Sequence, residues 1–135
     1  MTFTVTPIGH VRSPLADPAA APRQPDEGAP PATLVIDATF RAGLDGVVVG
    51  TDLLVLTWLH QGRRDVLSTR PRNDPPRPEQ GMFSIRSPDR PNPIGLHRVR
   101  VTSVDGDGIG VDALEALDGT PVIDLKPVLG EVAER

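Results

Sequence analysis

His97-Arg98-Val99-Arg100-Val101-Thr102-Ser103-Val104, then Asp105-Gly106-Asp107-Gly108, then Ile109-Gly110-Val111, is the stretch that decides the fold. Val99, Val101 and Ser103 alternate with Arg98, Arg100 and Thr102, and a period of two gives a strand one buried and one wet face. The two Asp-Gly pairs supply the chemistry of a tight turn. The segment therefore predicts an antiparallel hairpin between His97 to Val104 and Ile109 to Val111.

Further short extended runs lie outward from this hairpin, at Phe3 to Ile8, Thr33 to Thr39, Leu53 to Leu59, Met82 to Ile85 and Val122 to Leu125. Leu53-Leu54-Val55-Leu56-Thr57-Trp58-Leu59 is apolar on both faces. It predicts a central strand with one face in the core and the other covered by a helix or a second subunit. Helix is expected only in short pieces: Phe40 to Leu44 is the best candidate, and Asp112 to Leu117 suits helix or extended chain. Many short strands with frequent Gly and Pro turns predict one all-β domain over residues 1–135, a small barrel or a sandwich. Two long Pro-rich loops are expected, Pro14 to Ala32 with six prolines and Arg70 to Gln80 with four.

Composition narrows the chemistry. The 135 residues include no cysteine, which excludes a thiolate nucleophile, a disulfide and Cys-ligated zinc. No pair of histidines has metal-ligand spacing, so no metal is expected. No apolar run reaches membrane-spanning length and the N-terminus lacks the regions of a signal peptide, so a cytoplasmic protein without a membrane partner is expected. Net charge is −4, yet His60 to Arg100 holds nine arginines against Asp65, Asp74, Glu79 and Asp89, a local net of +5. That asymmetry suits either an anionic partner or a solvated Arg-rich loop.

Three prolines stiffen Arg86-Ser87-Pro88-Asp89-Arg90-Pro91-Asn92-Pro93-Ile94-Gly95-Leu96 and predict a rigid loop throughout, neither helix nor central strand. Arg86, Arg90 and Asn92 put fixed donors on that loop, suited to carboxylate, phosphate or nucleobase edges. Gly95 permits a backbone conformation or a close approach that a side chain would block. His60 closes the two-sided strand on the face of Trp58, where an imidazole serves as a general base or simply bonds a carbonyl. Asp118-Gly119-Thr120-Pro121 is a turn signature. Beyond it Asp124 and Lys126, the chain's single lysine, share a strand face and suit a salt bridge or a shared ligand.

The Arg86 to Leu96 segment, Asp118 to Pro121, Asp124-Leu125-Lys126-Pro127 and the N-terminal Ile8-Gly9-His10-Val11-Arg12-Ser13-Pro14 together resemble the TsaA-like, or TrmO, family of S-adenosylmethionine-dependent methyltransferases. The resemblance spans nearly the whole chain. It implies a small antiparallel β-barrel that dimerises and methylates N6 of threonylcarbamoyl-adenosine beside the tRNA anticodon. Carried over, it implies cofactor contacts at Pro22, Arg23 and Gln24, at His60 and Gln61, at Arg86 and Leu96, and at Asp118, Gly119, Thr120 and Pro121. His60, Asp124 or solvent takes the proton that the acceptor nitrogen loses, and the sequence does not rank the three. Arg63, Arg64, Arg90, Asn92 and Lys126 are the candidate contacts to substrate, with the region Arg63 to Arg77 facing a tRNA anticodon loop. Val128 stands where many members carry tyrosine, and the chain ends eight residues past Pro127. Both differences touch regions suited to RNA and keep open two alternatives, a small-metabolite acceptor and a non-catalytic S-adenosylmethionine- or RNA-binding barrel.

Overall fold

A computed structural model describes residues 1–18, 27–69 and 78–130. Among them are eight strands: β1 (Gly9–Arg12), β2 (Ala32–Ile36), β3 (Asp52–Trp58), β4 (Ser68–Thr69), β5 (Gln80–Gly81), β6 (Ile94–Asp105), β7 (Gly108–Val111) and β8 (Pro121–Pro127). The expected hairpin is β6–β7, with Asp105 opposite Gly108. Antiparallel pairing runs β1–β2–β7–β6–β3–β8 and returns to β1, closing a six-stranded barrel; β4 and β5 form a separate two-stranded ribbon. Closure, in which Gly9 pairs with both Ile36 and Val122, removes the exposed edges that an open sheet would present. It also decides between the two architectures that the strand pattern allowed.

Alternation fills the interior. Val11, Leu34, Ile36, Leu53, Val55, Val99, Val101, Ile109, Val111 and Val122 point inward and form one core with Leu114 and Ala116. Each fully buried Val, Leu or Ile side chain contributes about 1.5–3 kcal/mol. β3 is two-faced as its composition requires. Leu53, Val55 and Thr57 are buried inside, whereas Leu54, Leu56 and Trp58 lie on the outer wall. There Leu54 is flanked by Arg98 and Lys126, Leu56 by Leu96 and Asp124, and Trp58 pairs with Ile94.

Several boundaries differ from expectation. Residues 3–7 are exposed and outside any strand; regular pairing starts at Gly9, after Pro7, which has no N–H to give to a ladder. Strand β2 stops at Ile36 and the chain enters a 3-10 helix, Ala38–Leu44, that contains the expected helical piece. Met82–Ser84 is a 3-10 turn rather than a strand; only Met82 is buried, and Ser84 Oγ donates to the Gly81 carbonyl. Ile94, Gly95 and Leu96 belong to β6 and pair with Trp58, Thr57 and Leu56, so the stiff loop ends at Pro93. The three prolines constrain only residues up to 93, and the ladder takes over where N–H groups resume. Residues 112–117 adopt neither helix nor strand.

Candidate cofactor site at one rim of the barrel

Strand direction sorts the connections between the two rims. β1, β3 and β7 end, and β2, β6 and β8 begin, at the same rim. The connections 13–31, 59–93 and 112–120 all leave from it. The opposite rim carries the β6–β7 turn and residues 37–51. Two of the three long connections therefore hold His60, Gln61, Arg86 and Asp118 to Thr120, with Pro121 opening β8 and Leu96 the third residue of β6. Pro22, Arg23 and Gln24 fall in the other long connection and lie outside the described residues, as do Arg70, Arg72 and Arg77.

The 59–64 turn is fastened to the proline loop. Leu59 N–H donates to the Pro93 carbonyl, Arg63 N–H to Asp89 Oδ1 at 2.8 Å, and Arg64 Nε to the Pro91 carbonyl at 2.8 Å. The Arg64 guanidinium also bonds Asn92 Oδ1 and lies 5.3 Å from the centre of the Trp58 ring, a cation–π distance. Arg90 turns back on its own loop and donates to the carbonyls of Met82, Ile85 and Ser87. These bonds make a preformed platform from which Arg86, His60 and Gln61 project. All three are exposed, and their side chains have no partner among the described residues.

At the facing connection, Asp118 Oδ1 accepts the Ser13 N–H at 3.0 Å, and its own N–H donates to the Leu15 carbonyl. Gly119 sits at φ 82°, where a side chain is disfavoured, and its N–H reaches the Val11 carbonyl. The turn is thereby tied to the base of the first Pro-rich loop, and Asp118 Oδ2 has no hydrogen-bond partner among the described residues. Thr120 is buried.

The arginine-rich surface is less positive than the sequence implies. Asp52 engages both Arg98 and Arg100, and the Arg100 guanidinium holds the Asp52 carboxyl below its ordinary range. Arg63 pairs with Asp65 at 3.1 Å and lowers its carboxyl likewise. Lys126 and Asp124 form the anticipated ion pair at 3.1 Å on the outer wall, with Asp124 Oδ1 also taking the Leu125 N–H. A shallow groove of about 410 Å³ runs over β1, β2, β7 and β6, lined by Arg12, Thr33, Thr102 and Ser103 among others. It meets the long-loop rim at Ser13 and shares no residue with the cofactor positions.

One polar cluster inside the barrel is not announced by any sequence motif. His97 is buried on the inner face of β6, with Nε2 2.7 Å from Thr57 Oγ1 and Nδ1 2.5 Å from Glu115 Oε1. Its sequence signal is parity: His97 shares the inward register of Val99 and Val101, and a polar group on a buried face needs partners.

The tRNA-methyltransferase O N-terminal domain family matches residues 10–133 of this chain. The chain belongs to the TrmO family. A probable S-adenosyl-L-methionine-binding protein of Methanothermobacter thermautotrophicus is 37% identical over 98% of this chain and 94% of its own length. The probable S-adenosyl-L-methionine-binding protein VirR of Rhizobium radiobacter is 41% identical over 89% of this chain and 67% of its own. The crystal structure of TrmO from Pseudomonas aeruginosa superposes with a TM-score of 0.76 at 32% identity, over all of this chain and 60% of that one. The TrmO chain thus extends well beyond the part matched here. Among the described residues, no helix is long and apolar enough to cross a membrane, and no group of three or more His, Asp or Glu could hold a metal ion.

Proposed function

We propose that this chain is an S-adenosylmethionine-dependent methyltransferase acting on N6 of threonylcarbamoyl-adenosine beside a tRNA anticodon, in the cytoplasm and as a homodimer. The observation that carries the reading is the convergence of His60, Gln61, Arg86, Leu96 and Asp118 to Pro121 on one rim of a TrmO-family barrel. These residues match the functional groups of the cofactor. The unpaired Arg86 guanidinium suits its carboxylate, the free Asp118 Oδ2 its ammonium or ribose hydroxyls, and the half-exposed Leu96 beside Leu56 its adenine. Pro22, Arg23 and Gln24 complete the set by family resemblance.

S-adenosylmethionine supplies an electrophilic methyl group on a sulfonium. The chain's task is alignment, and well-oriented reactants lower a barrier by roughly 7–11 kcal/mol. The platform of residues 59–64 on 88–93 is rigid before any ligand arrives. The acceptor nitrogen must lose a proton, and His60 suits that role better than Asp124. The imidazole is exposed without a side-chain partner, whereas both Asp124 oxygens are engaged.

Arg63 and Arg64 are proposed to hold the anticodon loop, with Lys126 opposite Leu54 further along the outer wall as a more distant contact and Arg90 and Asn92 shaping the platform beneath. In an Arg63→Ala, Arg64→Ala variant, tRNA methylation falls and its salt dependence flattens. The log–log slope should shrink by about 0.7 for each phosphate of a single strand that is no longer neutralised. Cofactor affinity stays within about twofold, since the exposed Arg63–Asp65 ion pair contributes only ~0–1 kcal/mol, the Arg64 bonds are exposed too, and the Leu59 and Arg63 backbone N–H groups still hold the turn on Pro93 and Asp89. Radiolabelled methyl transfer to total tRNA and to a metabolite extract, run in parallel, decides the acceptor. Transfer to a small molecule with tRNA left untouched would give the site to a metabolite.

The dimer surface proposed is the outer wall of β3 and β6 around Ile94, which is 45% exposed and paired with Trp58, beside the Leu96 and Leu56 position given to the adenine. Two-fold pairing is the commonest closed assembly and would cover this strip. Sedimentation should give twice the chain mass at micromolar concentration, and Ile94→Lys should shift it to monomer. A monomeric parent protein refutes the surface.

A further inference from the structure

We infer that His97 is a positioning residue for the Asp118–Pro121 turn, acting through Glu115 and braced by Thr57. Residues 112–117 cross the long-loop rim without regular structure and lead directly into that turn. Leu114 and Ala116 plug the barrel interior, and the Leu114 N–H is held by the Pro30 carbonyl. Between them, Glu115 makes its only side-chain bond to His97 Nδ1. At its start the segment is held by Asp112 Oδ1, which accepts the Arg100 N–H; nearer the turn it is tied to the barrel wall by the bridge Thr57–His97–Glu115, which links β3, β6 and the connection to β8.

The bridge is costly to disturb and directional. His97 and Thr57 are almost wholly buried, and Glu115 Oε2 is buried with no hydrogen-bond partner. An unpaired carboxylate oxygen in the interior is unfavourable, so the bond at Oε1 is what keeps the carboxylate there. A proton must lie between Nδ1 and Oε1. Nε2 then accepts the Thr57 hydroxyl when the ring is neutral, or donates to it when the ring is charged. Either way the ring plane is set by two partners. Orientation of a histidine by a carboxylate, familiar where the ring does chemistry, here orients backbone instead. Glu115 stands only three positions before Asp118, so a displaced Glu115 displaces the turn.

The inference rests on the reading that Asp118 touches the cofactor, and a double-mutant cycle separates the two. S-adenosylmethionine affinity is measured by calorimetry for the parent chain, Glu115→Gln, Asp118→Ala and the double variant. Glu115→Gln keeps side-chain size and should weaken binding about tenfold. The double variant should be little weaker than the worse single variant, because a misplaced turn no longer presents Asp118. In parallel, the proton between Nδ1 and Oε1 should give a strongly deshielded proton resonance in the parent chain, moved or lost in Glu115→Gln. Should Glu115→Gln fail to fold, Thr57→Val keeps the shape, removes the hydroxyl partner and should weaken binding in the same direction. Multiplicative losses, or unchanged affinity in Glu115→Gln while Asp118→Ala weakens binding, overturn the positioning role alone. Unchanged affinity in Asp118→Ala overturns the cofactor reading of the turn together with it.

Discussion

Replacing Gly95 with alanine is expected to lower the stability of the barrel by about 2–6 kcal/mol, the sum of ~1–3 for overpacking a filled interior and ~1–3 for stranding a buried polar group. Gly95 faces inward opposite Thr57. A Cβ there would lie 2.3 Å from Thr57 Oγ1 and 2.7 Å from His97 Nε2, both fixed by the hydrogen bond between them. To admit the methyl group the two side chains must separate, which removes the bond and leaves the imidazole unsatisfied inside the barrel. Domains of this kind have ~5–15 kcal/mol in total, so the loss is a substantial fraction. Urea unfolding should show the midpoint falling by about 2 M for a mid-range loss of ~4 kcal/mol and a slope of ~2 kcal/mol/M. Adding Thr57→Ala to Gly95→Ala should recover part of it by making room. An unchanged midpoint in Gly95→Ala would mean that the wall yields at no cost and that close approach is not what requires glycine.

Gly95 also marks where sequence reading succeeded and where it ran out. A glycine after three prolines leaves open a special backbone conformation or a close approach; it is the approach that occurs, and its partner lies on β3 and in a hydrogen bond that no local pattern encodes. Parity within a strand is local, so the alternation of Val99 and Val101 with Arg98 and Arg100, and the two-faced β3, were legible. Composition alone also marks Met82 to Ile85 as extended, yet Met82–Ser84 forms a 3-10 turn because only the Met82 side chain has a core to enter. Residues 3–8 have strand composition and find a backbone partner only at Ile8, whose N–H meets Val122. Barrel closure was not legible from periodicity, since the closing pair joins Gly9 to Val122 from opposite ends of the chain. The site divides in the same way. Its residue types were visible as motifs, whereas the departure of the connections that carry them from one rim follows from strand direction around the closed sheet. The charge count does not show which cations are engaged: Arg98 and Arg100 meet Asp52, Arg63 meets Asp65, and Arg64 and Arg90 bond loop carbonyls, which leaves Arg86 without a partner among the described arginines of His60 to Arg100.

Arg86→Ala is expected to weaken S-adenosylmethionine binding by tenfold or more, with the fold intact. Hydrogen bonds to charged groups are worth roughly 1.5–3 kcal/mol, and each ~1.4 kcal/mol is a factor of ten in affinity. Arg86 is exposed and makes no side-chain hydrogen bond or ion pair among the described residues, so its removal strands nothing. That separates it from Arg90, whose loss would remove three bonds to carbonyls of the loop that carries Arg86 and confound the reading. The loop carrying Arg86 is already held by Arg90, and its neighbour Ser87 accepts the Asp89 N–H, so little ordering opposes binding. Arg86→Lys should fall between parent and alanine variant, because an ammonium keeps the charge but loses the planar fork that matches a carboxylate. Calorimetry with S-adenosylmethionine and with its demethylated product reads the effect. The two ligands should lose affinity by the same factor, since the carboxylate is common to both and the methyl group is not. Unchanged affinity for both in a folded Arg86→Ala chain would remove this residue from the site and leave the carboxylate to Arg23.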